Sequence, residues 1–403
     1  MRRNRSIVLL TAGHACVDVY QGAVASLVPF FAAERAYGYA AVSGIVLAAS
    51  LLSSVAQPVF GVLTDRRPVP WLLPTGTLLG GLGIALSGLS GSYALTLAFV
   101  AVSGVGVAAY HPESARVARI VSGGSHRAMG WFSLGGNLGF ALAPLMVATV
   151  VATGGLRLTP FLVLPALVGA VLCLPVLRAL ERHTGAGRGA AVADRSDDMA
   201  SFVKLSLAVV CRSVVFTGLS TFLSLYATER MGGSTAAGTV ALFVLYLGGA
   251  VGSVLGGALA HRWDRVAVCR WSCLLTAVSV PGLLLAPGPA LYPFVALAST
   301  SLYVPFSLIL TLGQDYLPSR VGTAAGVTLG LTVSVGGLAG PLIGNLADAT
   351  SLRTALAPLV LMPVLGWLFF RMLPEPVPPA GDAAPSKGGD TDDALSRSGP
   401  GHR

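Results

Sequence analysis

The 403-residue sequence predicts an all-α membrane protein: twelve transmembrane helices in two pseudo-symmetric six-helix halves, with the N and C termini cytoplasmic. Three observations predict it. The chain is 54% hydrophobic and 11% charged, with a mean hydropathy of +0.76, whereas soluble domains carry about 25% charged residues. At roughly 30 residues per span and loop, about twelve spans fit the length. Of the 26 Lys and Arg, 21 fall in loops and termini that share one side, among them Arg66, Arg67, Arg116, Arg119, Arg262 and Arg265, and Arg212 lies inside a span. The other side holds only Arg35, Arg157, Arg230 and Arg353. That asymmetry places the basic side in the cytoplasm and accounts for the net charge of +9 without a nucleic-acid partner. Finally, Gly61 lies 196 residues before Gly257, Gly130 lies 196 before Gly326, and Pro144 lies 197 before Pro341, so the halves read as copies.

The first span, Ile7 to Phe31, holds His14, Asp18 and Gln21 at i, i+4 and i+7, on one helical face. A carboxylate at the bilayer centre costs at least ~2.5 kcal/mol, so this face is expected to line a bundle interior or an aqueous cavity. A cleaved signal peptide is the alternative, because Arg2, Arg3 and Arg5 precede the run and Ala23-Val24-Ala25 imitates a cleavage site. The polar stripe and the similar segments that follow argue for a span. A second span runs from about Ala40 to Leu63, a third follows Pro70-Trp71, and a fourth runs from Tyr93 to His111-Pro112-Glu113. The fifth begins near Arg127 and the sixth ends near Leu177. Residues 179–201 are polar, Gly-rich and mixed in charge, a cytoplasmic linker between a half at 6–178 and a half at 202–373. Spans seven to twelve start near Phe202, Thr235, Val266, Ala290, Val321 and Leu352. Residues 374–403 are rich in Pro, Gly, Asp and Ser and read as a disordered tail.

Under the repeat offset Asp18 maps to position 214, two residues from Arg212, so each half carries one charge at a matching depth in its first helix. Asp18 and Arg212 are therefore expected to face each other across a central cavity, as a structural ion pair or a transport pair. His14 and His111 come out at similar depths, each either a proton relay or a neutral histidine bonded to a carbonyl. Glu113 and Arg116, at i and i+3, can pair. Tyr303, Ser307, Thr311 and Gln314 recur at helical spacing in the tenth span, and Asn137 in the fifth completes the candidate cavity lining. At the cytoplasmic ends Gly61, Asp65 and Arg66, with Arg119, Arg127 and Arg262, form a candidate conformational latch.

The remaining motifs point away from enzyme chemistry. Gly104 to Ala109 resembles a dinucleotide fingerprint but sits inside a span without a preceding strand, and no HExxH motif occurs. Gly88-Leu89-Ser90-Gly91 resembles a serine motif but falls in a short outer loop. The five cysteines, at 16, 173, 211, 269 and 273, lack metal-ligand spacing, and neither a metal nor a cofactor is expected.

Gly13-His14 with Asp18, Gln21 and Pro29 resembles the fosmidomycin-resistance family of the major facilitator superfamily. So do Gln57-Pro58-Val59, Thr64-Asp65, Pro70-Trp71, His111-Pro112-Glu113-Ser114, Arg116-Val117-Ala118-Arg119, Gly135-Gly136-Asn137, Gln314-Asp315 and Leu346-Ala347-Asp348. The resemblance covers all but the linker and the tail. It implies a secondary transporter that exports a small drug-like molecule, anionic or phosphonate, against protons by alternating access. It also implies a multi-pass protein of the bacterial inner membrane, powered by the proton gradient and working as a monomer. Import of a sugar or organic anion is the alternative direction. Ala143-Pro144 departs from the Gly-Pro such antiporters carry in span five, and His261 stands where the second half would place an acidic latch residue.

Overall fold

The computed structural model describes residues 2–122, 126–180 and 196–376, and every regular element among them is helical. The first group comprises α1 (Arg2–Arg35), α2 (Tyr39–Arg66), α3 (Leu72–Ser87), α4 (Tyr93–Ser122), α5 (His126–Val151) and α6 (Leu164–Leu180). The second comprises α7 (Met199–Arg230), α8 (Thr235–Ala260), α9 (Arg265–Leu285), α10 (Leu291–Tyr303), α11 (Phe306–Tyr316), α12 (Val321–Ala349), α13 (Leu352–Leu356) and α14 (Leu361–Arg371). Taking α10 with α11 and α13 with α14 as interrupted rods gives twelve. Among the described residues, ten stretches are long and apolar enough to cross a membrane. The third span is the short one, with 16 residues in α3, below the ~20 that a perpendicular crossing needs.

Helix starts follow local chemistry. Asp198, Ser234 and Ser351 cap α7, α8 and α13 by accepting from the N–H groups of Ser201, Ala237 and Thr354. The Ser201 bond also holds the Asp198 carboxyl, outside the membrane span, below its ordinary range. A 3-10 turn, Leu156–Val163, leads into α6. Its preceding Gly155 has φ of 75°, which an L side chain rarely adopts, and Glu34 at the end of α1 accepts from Leu156 N–H at 3.0 and 3.1 Å.

The core of the first group gathers around α1, whose Leu10, Val17, Tyr20, Leu27 and Phe31 are fully buried. Tyr20 shows how a polar atom is accommodated there. Its hydroxyl donates to Leu162 O at 2.9 Å and accepts from Ala166 N–H at 2.7 Å, an orphan donor at the start of α6. Two further clusters hold the second group. One surrounds Phe222, Leu245, Leu283 and Leu356; the other surrounds Leu205, Val209, Cys269 and Leu312.

α2 packs on α12 and α5 on α8, and these pairs join the two groups. Phe140 of α5 meets Tyr246 of α8 edge to face at 5.3 Å. At the start of α2, Gly38 supplies no side-chain cap. Asp348 of α12 does so instead, accepting from Tyr39 N–H at 2.8 Å and Ala40 N–H at 2.9 Å. A carboxylate near the C-terminal end of its own helix opposes that helix dipole, and here the N-terminus of α2 compensates it. Tyr39 OH also donates to Glu229 at the end of α7, at 2.5 Å. These bonds tie the two groups together at this end of the molecule. Removing a cap costs ~1 kcal/mol, about a fivefold change in an equilibrium. Asp348→Ala is therefore expected to speed thiol labelling of a Ser43→Cys reporter by roughly that factor in a chain whose native cysteines are replaced. Ser43 lies against Gly340 on this interface, and an unchanged labelling rate would show that the cap does not hold the end closed.

Candidate functional site

The site grows from the way α5 is cut to fit α1. A Cβ at Gly135 would meet the Thr11 carbonyl, and one at Gly139 would meet the Ala15 carbonyl, both in backbone contact. Only glycine lets the two helices approach this closely. At Gly136, between them, the missing Cβ leaves the space taken by Asp18 and His14. The same approach brings the Phe132 carbonyl to His14 Nδ1 at 2.9 Å and stacks the Phe132 ring on the imidazole at 4.2 Å.

Asp18 is buried at 7% exposure and His14 at 8%. His14 Nε2 lies 3.2 Å from Asp18 Oδ2, along one turn of α1. His111, from α4, places its Nε2 2.9 Å from Asp18 Oδ1, and its Nδ1 bonds to the Val107 carbonyl at 2.9 Å. A carbonyl oxygen only accepts, so each Nδ1 carries the hydrogen and a neutral imidazole presents a bare Nε2. Both Nε2 lone pairs therefore aim at carboxylate oxygens. Acceptor facing acceptor repels, and each contact becomes attractive only when positive charge lies in it. One proton satisfies one contact and two satisfy both. The three donor groups lie within 4.8 Å of one another, the one such metal-compatible grouping among the described residues.

The other expected site residues divide clearly. Gln21 and Asn137 are half-buried and form none of the triad's bonds. Glu113, expected in the cavity, is fully buried and bound to Arg116 in a two-pronged pair at 2.8 and 2.5 Å. Arg212 does not reach Asp18. Its Nε donates to Leu302 O at 2.5 Å, and its guanidinium lies over the Tyr303 and Phe306 rings at 5.6 and 5.4 Å. The reason lies in the repeat itself. Residue 214, not 212, matches Asp18, and two residues at ~100° each turn a side chain to nearly the opposite face of a helix. Arg212 thus shares the depth but points into its own group, where it borders a pocket with Cys211, Cys273, Thr276 and Ser301.

The tenth span is not the continuous helix that the spacing of Tyr303, Ser307, Thr311 and Gln314 suggested. Pro305 has no N–H to continue the ladder, and α10 stops at Tyr303 before α11 resumes at Phe306. The Leu302 carbonyl just before the break is the one that Arg212 takes up. Tyr303 stays by Arg212, while Ser307 is exposed and Gln314 half-buried. Thr311 Oγ1 donates to the Leu308 carbonyl of its own helix. Among the latch residues, the side chains of Asp65, Arg66 and Arg127 lie outside the described residues. Gly61 is half-buried, and Arg119 and Arg262 are exposed. In the second group Arg265 bridges Asp315 at 2.6 Å and Glu375 at 2.8 Å, a cluster that sequence reasoning missed although all three carry charge near helix ends. Ser90 hydrogen-bonds to Thr96 at 2.5 Å in the turn between α3 and α4.

Sequence reasoning also missed Tyr110 and Phe132. The Tyr110 ring lies 6.0 Å from that of His14, and its buried hydroxyl has no hydrogen-bond partner. Its place beside His111 was the available signal.

Comparison with known proteins agrees with this architecture. The chain is 29% identical over 369 residues to the fosmidomycin resistance protein of Escherichia coli K12, covering 89% of this chain and 90% of that one. It is 29% identical over 379 residues to the uncharacterized MFS-type transporter YfnC of Bacillus subtilis 168, covering 90% and 91%. The resemblance to the fosmidomycin-resistance family read from the motifs is thereby borne out. In fold the chain is similar to a bacterial homologue of the human lysosomal transporter Spinster in its inward-facing, occupied conformation. The TM-score is 0.72 at 16% identity, covering 91% of this chain and 95% of that one. The model of the Major Facilitator Superfamily matches residues 10–341, and the chain belongs to that superfamily of membrane transporters.

Proposed function

We propose that the chain is a proton-coupled exporter of a small anionic molecule of phosphonate type, working by alternating access with its termini in the cytoplasm of a bacterial inner membrane. The observation that carries the reading is the buried Asp18 held between two imidazole Nε2 atoms. Protons make those contacts attractive, and their loss turns the triad against itself. A cavity that closes readily when protonated and resists closing when deprotonated links proton entry to the return step. The two helix groups, 6–178 and 202–373, rock against each other as a monomer. Gly61, Asp65, Arg66, Arg119, Arg127 and Arg262 serve as the cytoplasmic latch, a role that rests on their placement in the sequence.

Arg212 supplies the charge for the cargo. A guanidinium inside the membrane costs ~2.5–3.5 kcal/mol or more unless compensated. Its Nε is bound to Leu302, and the rest of the planar group suits an oxyanion. Arg212→Gln keeps a donor for Leu302 and removes the charge. It is expected to weaken binding of an anionic phosphonate such as fosmidomycin by about tenfold or more, measured by tracer binding to the purified protein. Equal binding in the two proteins would remove Arg212 from the cargo site. Deleting the gene should sensitise cells to exported compounds; loss of growth on one nutrient instead would reverse the direction of transport.

A further inference from the structure

We propose that His14, Asp18 and His111 also form a binding site for one divalent transition-metal cation of the zinc, cobalt or nickel type. The proposal deepens the reading above at the same triad, and it rests on coordination geometry rather than on coupling or cargo. Two imidazole nitrogens and a carboxylate oxygen are a borderline donor set that suits these ions better than magnesium or calcium. Around a tetrahedral zinc at ~2.0–2.1 Å per ligand, ligand atoms stand roughly 3.3 Å apart. The two Nε2 atoms lie 3.2 and 2.9 Å from the two carboxylate oxygens and the three ligand atoms fall within 4.8 Å of one another, so side-chain rotations that move atoms by on the order of an ångström would seat an ion.

Three further observations point to a ligand at this place. Both Nδ1 atoms are anchored on backbone carbonyls, Phe132 for His14 and Val107 for His111. That is the outer support which orients metal-binding histidines and presents Nε2 to the ion. His14 Nε2 is buried and forms no hydrogen bond, although it points at the cluster. His111 is the more open member, at 24% side-chain exposure, which leaves a fourth position for water or for a chelating cargo. The cation would take the place of the protons in the two contacts, so proton and metal exclude each other.

The test uses the full-length protein purified in detergent without a polyhistidine tag, with its five cysteines replaced by serine so that thiolates cannot compete. Co2+ titrated into this protein is expected to give the intense visible absorption of a four-coordinate ion, saturating at one per chain. Calorimetry with Zn2+ is expected to give the same stoichiometry. His111→Gln and Asp18→Asn should each weaken binding by at least about tenfold, the low end of the loss from altering even an outer-shell group. Only a weak six-coordinate cobalt spectrum, or binding unchanged in both variants, would overturn the site. No gradient or cargo is present, so a failure of proton coupling leaves this result untouched. Absence of metal binding likewise leaves export measured in chelator unaffected.

Discussion

Replacing Asp18 by asparagine is expected to reduce pH-gradient-driven efflux from proteoliposomes to the level of protein-free vesicles while leaving the protein folded and monodisperse. The substitution is nearly isosteric. Its amide can donate to one bare Nε2, and its carbonyl can accept from the other imidazole when that ring is protonated. The two contacts at 2.9 and 3.2 Å can thus persist. What disappears is the negative charge that makes protons necessary there. A helix bundle that no longer distinguishes loaded from empty has no means of tying proton movement to cargo movement. Full gradient-driven efflux by the variant would show that another acid couples transport.

The second large effect is expected at a residue without a side chain. Gly136→Val would place a Cβ against Asp18 Oδ2 and at 2.8 and 2.9 Å from His14 Cε1 and Nε2. Contacts that short force movement, and overpacking of this kind costs ~1–3 kcal/mol. α1 and α5 must separate or the triad must rotate, and either breaks the convergence on Asp18. Efflux should fall as far as in Asp18→Asn. Gly130→Ala on the same helix is the control, because its added Cβ meets nothing within 4 Å. If the control lost as much efflux as the valine variant, glycine in α5 would matter for the helix at large rather than for the triad.

These two positions show what the sequence made legible. The polar face of α1 was plain, because His14 and Asp18 at i and i+4 interrupt an otherwise apolar span, and the hydrophobic pattern placed the twelve rods. The convergence of His111 on Asp18 followed only in part, from similar depth. Depth along a helix is a linear count, but facing depends on rotation. Arg212 failed on rotation, since a two-residue shift preserves depth and reverses direction. The break of the tenth span at Pro305, between α10 and α11, lies inside the run whose helical spacing joined Tyr303 to Ser307 and Gln314. Glu113 pairs with Arg116, as their i, i+3 spacing allowed, and that pair holds its carboxylate inside the protein. Gly136, Phe132 and Tyr110 act through close approach and stacking between distant segments, which periodicity within one segment does not reveal.

Cargo-driven proton movement tests the central claim most directly. Wild-type proteoliposomes containing a pH-sensitive dye, given a phosphonate cargo on one side and no imposed pH gradient, are expected to show cargo-dependent proton flux in the opposite direction, absent from Asp18→Asn vesicles. Cargo entry without proton flux in the wild type, or the same flux in the variant, would contradict the assignment of Asp18 and its two histidines as the coupling site.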